Sequence, residues 1–135
     1  NELGVAMNEW LNKKYLANGV ENGTIKLSNI DVRKKYIEEV SKIKGTIDNN
    51  LPIEQQARQA FEARNRIRTE ARSLMADEAT RVQLEKERPN KTFEELISSK
   101  MKRKGMTRDE AIRDIYDTAT KTNANVNREL GLGGD

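Results

Sequence analysis

Five arginines, Arg58, Arg64, Arg66, Arg68 and Arg72, fall in one short window that holds only two acids, Glu62 and Glu70. A guanidinium presents a planar fork of donors that grips a phosphate or a carboxylate at two points. On a helix with Arg64 at the origin, Arg68 and Arg72 lie about 40° and 80° round the axis and Arg58 about 120°. Glu62 and Glu70 fall at about 160° and 240°. Four guanidinium groups therefore share one flank. A row at i, i+4, i+8 rises about 6 Å per step, comparable to phosphate spacing along a nucleic-acid strand. Phe61, at about 60°, lies in the same flank, where it can stack on a base or a guanidinium. The alternative use of the row is structural, with the arginines paired to acids of neighbouring helices such as Asp114 or Glu95 and Phe61 at the core edge.

A second basic run, Lys100, Lys102, Arg103, Lys104 and Arg108, has no acid from Ser98 to Arg108. It reads either as a phosphate-binding patch or as a solvated helix end whose cations suit the dipole. If the two patches converge they form a groove for nucleic acid. Near the C-terminus, Lys121, Asn123, Asn127 and Arg128 gather amide and cationic donors, a composition suited to a phosphate or a base edge. Capping by Thr122 or Asn123 explains part of that composition.

Histidine and cysteine are both absent. That removes thiolate nucleophiles, imidazole bases, Cys/His zinc sites and disulfides. Phosphodiester cleavage can still run through 2′-OH attack, with a carboxylate, Lys or Tyr moving protons and Arg stabilising the pentacoordinate charge. Arg68, Asn123 and Asn127 are the candidate catalytic residues. Phosphate-binding candidates are Arg58, Arg64, Arg68, Arg72, Lys100, Lys102, Arg103, Lys104 and Arg128. The phenols available are Tyr36 and Tyr116, both read as core residues with a wet hydroxyl. Asp109, Glu110, Asp114 and Asp117 cluster, but Arg113 and Lys121 interleave with them as ordinary helix pairs, so no metal site and no cofactor is expected.

The elements that must position these groups are helical. The chain has 135 residues, 35% of them hydrophobic and 35% charged, with 25 basic against 22 acidic residues and a net charge of +3. This supports a single domain, 1–135, with a helical lead-in over 1–50 and a main body over 51–132. The expectation is an all-α compact bundle of about six helices with at most one short strand. A first amphipathic helix spans 3–17, and Thr24 to Leu27 alternates like a strand without an evident partner. Ser28 caps a second helix that ends at Gly45. Pro52 at a first helical position opens the long arginine helix, which runs to Met75 and, past a break near Asp77, to Arg88, where Pro89 stops it. Capping boxes at Thr92–Glu95 and Thr107–Glu110 start two more helices, the first ending at Gly105. A short helix over 124–130 ends at Gly131. No apolar run is long enough to cross a membrane and no secretion signal is evident. A chain that begins at Asn reads as a piece of a larger protein.

Three stretches carry a resemblance: Ala63 to Arg72, Arg88 to Ile97, and Thr122 to Gly131. Over roughly 51–132 the chain resembles the variable C-terminal toxin region of bacterial polymorphic toxins, the tips of Rhs-repeat and contact-dependent growth inhibition proteins. Val20-Glu21-Asn22-Gly23 is similar to the Val-Glu-Asn-Asn junction before such toxins, but departs at its fourth residue and lies inside the chain. The resemblance implies a domain of a secreted protein, delivered to the cytoplasm of a competing bacterium. There it would act as a nuclease against tRNA or DNA, neutralised by a cognate immunity protein; the reading favoured for this chain is RNA (tRNA) cleavage over DNA. The resemblance transfers no catalytic residue. The alternative reading is a non-enzymatic helical interaction or adaptor module of a larger secreted protein.

Overall fold

The computed structural model describes residues 27–132, so the helix expected over 3–17, residues 24–26 and the last three residues lie outside it. The described chain is all-α, 73% helical, with seven helices and no sheet. These are α1 (Asn29–Ser41), α2 (Ile43–Thr46), α3 (Ile53–Ser73), α4 (Glu78–Glu87), α5 (Phe93–Lys104), α6 (Arg108–Thr120) and α7 (Val126–Glu129). No helix among the described residues is long and apolar enough to cross a membrane.

Helix starts follow side-chain chemistry. Ser28 Oγ accepts from the Asp31 N–H at 3.2 Å, and Thr92 and Thr107 each close a reciprocal capping box with Glu95 and Glu110. Asp77 caps α4 through the Thr80 N–H, which fixes the break between α3 and α4. Gly105 ends α5 in the left-handed region at φ 65°, where a side chain would be strained.

Three boundaries differ from the expectation. The second helix breaks at Lys42, whose N–H bonds back to Glu39, and Gly45 lies inside the resulting short α2 instead of ending the helix. Pro52 is the N-cap of α3, because its ψ of 150° is extended and its carbonyl receives the Gln55 and Gln56 N–H groups. Neither Thr122 nor Asn123 caps the last helix; Asn125 does so by backbone geometry alone, at φ 61°. Leu27 does find a partner, a single parallel bridge to Met75 in which its N–H donates to Leu74 O at 2.7 Å.

Helix α3 is the axis of the molecule. Its stripe of Ala60, Ala63, Ile67 and Ala71 joins Val32, Tyr36, Val40, Leu74, Met75 and Leu130 in one core cluster. Ala57 and Phe61 join Phe93, Ile97, Ala111, Ile112 and Ile115 in a second. The small residues let α1 and α6 pack closely on α3 from two sides, which leaves the arginine flank between α6 and the segment that follows it.

Candidate functional site

The i, i+4, i+8 row forms, but its heads converge instead of making a ladder. Arg64, Arg68 and Arg72 all reach residue 129. Arg64 donates Nη2 to Glu129 Oε1 at 2.7 Å and Nε to Oε2 at 3.1 Å; Arg68 Nη1 bonds Oε2 as well, and Arg72 Nε donates to the Glu129 carbonyl at 2.9 Å. The Tyr36 hydroxyl adds a donor to Oε2 at 3.0 Å. The partner of the row is thus Glu129, not Asp114 or Glu95. Asp114 takes Lys100 Nζ at 2.6 Å, and Glu95 is used in its capping box.

Arg64 does a second task. Its Nη1 donates to the carbonyls of Thr118, Ala119 and Lys121, and its Nη2 to that of Ala124. The Thr118 carbonyl also accepts the Lys121 N–H, while those of Lys121 and Ala124 belong to the loop after α6, so the guanidinium braces the helix terminus and ties the following loop to α3. The residue is 5% exposed. Burial works against its charge, and the hydrogen bond to Glu129 with the nearby Tyr36 overcomes it, so the proton is held more firmly than in a free guanidinium. Burial and then the Glu129 charge push the Tyr36 phenol well above its usual range. Tyr36 is fully buried, so its hydroxyl is not wet and it does not serve as a proton carrier. Burial and the adjacent Arg68 draw Arg72 the other way, below its usual value.

Beside this web lies a cleft of about 540 Å³ between α3, α5, α6, the α4–α5 loop and α7. Seven cationic side chains line it, Arg64, Arg68, Arg72, Arg88, Lys91, Lys100 and Arg128, against two carboxylates, Glu87 and Glu129. Lys100 and Asp114 form an ion pair at its edge, and the Lys100 hydrogen bond holds the Asp114 carboxyl below its usual range. Arg88, Lys91 and Arg128 are exposed and form no ion pair among the described residues. Arg88 only donates to the Arg128 carbonyl, at 2.7 Å. Glu87, Arg88 and Arg128 also line a second groove, of about 560 Å³, with Asn127 and Gly131. The two arginines therefore stand on a ridge between two hollows.

The other expected site residues scatter. Arg58 turns away to Glu94 at 3.6 Å and stacks its guanidinium 4.5 Å over the Phe93 ring, because its turn of α3 faces α5. Of the second basic run only Lys100 reaches the cleft. Lys102 and Arg103 border a separate open hollow with Lys91, and Lys104 contributes only to the field at Asp114. Arg108 sits between Glu94 and Glu54 at 3.0 and 3.2 Å, and the Glu94 hydrogen bond raises its hold on the proton. Asn127 accepts from Arg33 Nε at 2.7 Å, pinning α7 to α1, and Asn123 lies on the surface away from the cleft.

Sequence reasoning passed over three amides of the cleft wall, Asn65, Asn90 and Asn125. Asn65 and Asn90 accept from Arg68, Asn90 at 3.0 Å. Asn65 was within reach of helical geometry, since it falls about 100° from Arg64 in the basic flank. Among the described residues no group of three or more acids converges to hold a metal ion. Compared with protein-family models, curated proteins and solved structures, the chain finds no significant match.

Proposed function

We propose that this is a toxin domain that acts on nucleic acid, RNA before DNA, through the cationic cleft. The observation that carries the reading is the excess of seven cations over two carboxylates around one concavity, with Arg88, Lys91 and Arg128 unpaired at its rim. Exposed cations focused in a concave wall attract a polyanion at long range and grip its phosphates on arrival. Glu129 is an unsuitable proton acceptor, because four donors already occupy its carboxylate. Arg68 holds Glu129, Asn90 and Asn65 at once, so its role is to shape the wall. The parent would be a secreted protein delivered to a target bacterium, and an immunity protein would cover the rim.

The test is expression in bacteria without an immunity protein, followed by inspection of total RNA and plasmid DNA. Arrested growth with cleaved RNA is expected, relieved in the variant Lys91→Glu/Arg128→Glu. Healthy growth with intact nucleic acids would sink the reading. One observation favours the rival, a non-enzymatic interaction module: Arg64, Arg68 and Arg72 are all committed to intramolecular bonds. That reading predicts no toxicity and no cleavage.

A further inference from the structure

We infer that the cleft seats a single unpaired nucleotide, its base against Phe61 and Leu96 and its phosphate on the Arg88–Arg128 ridge. This rests on the proposed nucleic-acid reading and narrows it to nucleoside phosphates presented outside a duplex.

Three observations converge. The cleft wall is not uniformly charged: Phe61, Leu96 and Pro89 line it together with the cations. A site for bare phosphates gains nothing from such a patch, whereas a base has an apolar face to bury against Leu96 and the part of Phe61 that the second core cluster leaves uncovered. The volume of about 540 Å³ lies within the range of cavities that enclose one small organic ligand. A duplex keeps its bases stacked inside and could offer such a hollow only its outermost phosphates. Amide edges also face the space. Asn65 accepts from Arg68 through Oδ1, and Asn125 makes no side-chain cap bond, so the Asn65 NH₂ and the Asn125 amide have capacity for the edge of a base.

The ridge sets the direction of the chain. Arg88 and Arg128 line both hollows, so a strand with one base in the cleft carries its next phosphate over the ridge towards the second groove. A duplex could approach the same arginines but would leave Leu96 bare. A free mononucleotide satisfies the seat and the ridge without using the second groove.

Fluorescence anisotropy of the purified chain at fixed salt tests this with four probes: a labelled single-stranded RNA oligonucleotide, its duplex, an abasic oligomer of equal phosphate count, and unlabelled 5′-mononucleotide as competitor. The single strand is expected to bind at least tenfold tighter than the duplex and the abasic oligomer. Leu96→Asp should lower single-strand affinity to the abasic level. Should that variant melt, Asn125→Gly, which keeps the left-handed backbone and removes the amide, should weaken the single strand severalfold and leave the abasic oligomer unchanged. Full competition by mononucleotide would make a free nucleotide the occupant; weak competition would make it a strand. Equal affinity for duplex, abasic oligomer and single strand would overturn the seat while leaving the nucleic-acid reading standing. No binding of any probe would overturn both. Tight single-strand binding by a chain that is not toxic would uphold the seat and sink the toxin.

Discussion

Two ionic webs in this molecule use the same groups at different depths. In one, Arg64 and Arg68 meet Glu129, with side chains 6%, 15% and 11% exposed. In the other, Arg58 and Arg108 meet Glu94 and Glu54, all more than 40% exposed. The deep web also satisfies the carbonyls at the end of α6 and fixes the wall of the cleft; the shallow one joins α3, α5 and α6 at the surface, where water competes for every charge. The contrast teaches that arginine content says little until its partners and their depth are known. Removing one partner from a desolvated pair strands the other, whereas removing one from a hydrated pair leaves it to water.

The sharpest way to break the contrast is Arg64→Ala. It strips Glu129 of its bidentate partner and uncaps four carbonyls, so a loss of about 3–5 kcal/mol is expected in urea denaturation. A loss below about 1 kcal/mol would erase the distinction between the webs. Glu129→Gln keeps the shape and removes the charge, and about 2–3 kcal/mol should disappear, read in the same way. Between the two extremes stand the capping boxes: Thr92→Ala and Thr107→Ala should each lower stability by about 1 kcal/mol, measured as the shift in unfolding midpoint.

The Lys100–Asp114 pair gives the next smaller effect and a sign that can be checked. Its folded carboxyl is held below the ordinary value of about 3.9, so its contribution is present at neutral pH and is lost as pH falls through the folded value. Lys100→Met should therefore be less stable than the parent at pH 7, and the difference should close in acid below pH of about 3.9. A gap that stays constant with pH would mean that Lys100 acts by packing its stem. Smallest of all, Glu94→Ala should change stability less than either cap variant, and the change should vanish in about 1 M salt while the Glu129→Gln loss persists.

Much of the fold was legible because it rests on local chemistry. Ser28, Thr92, Thr107, Gly105 and Pro89 act on backbone groups within a few residues of themselves, so their effects are read directly from order along the chain. The stripe of Ala60, Ile67 and Ala71 on α3 is likewise a matter of helical period alone. The basic flank was placed correctly on its helix, but its partner was not, because Glu129 lies 65 positions from Arg64 and nothing in the sequence marks that acid apart from others. Arg58 was assigned to the same flank and left it: an angle on a wheel fixes the face of a side chain, whereas the neighbouring helix decides what that face meets. Asn65 and Asn90 carry no charge to mark them in the sequence, and their effect comes from orienting Arg68.

The deep web also sets an order of events. Tyr36, Arg64 and Arg68 lie 93, 65 and 61 positions before the carboxylate that gathers them. At about 5–20 residues per second of synthesis, Arg64 is in the chain for about 3–13 s before Glu129 is added. Through that interval Arg64 and Arg68 are without their internal anion and are open to any polyanion nearby, including the nucleic acid of the machine that makes the chain. Closure of the web is a late, long-range step of the kind that slows folding, and the cleft wall takes its final shape only when that step is complete.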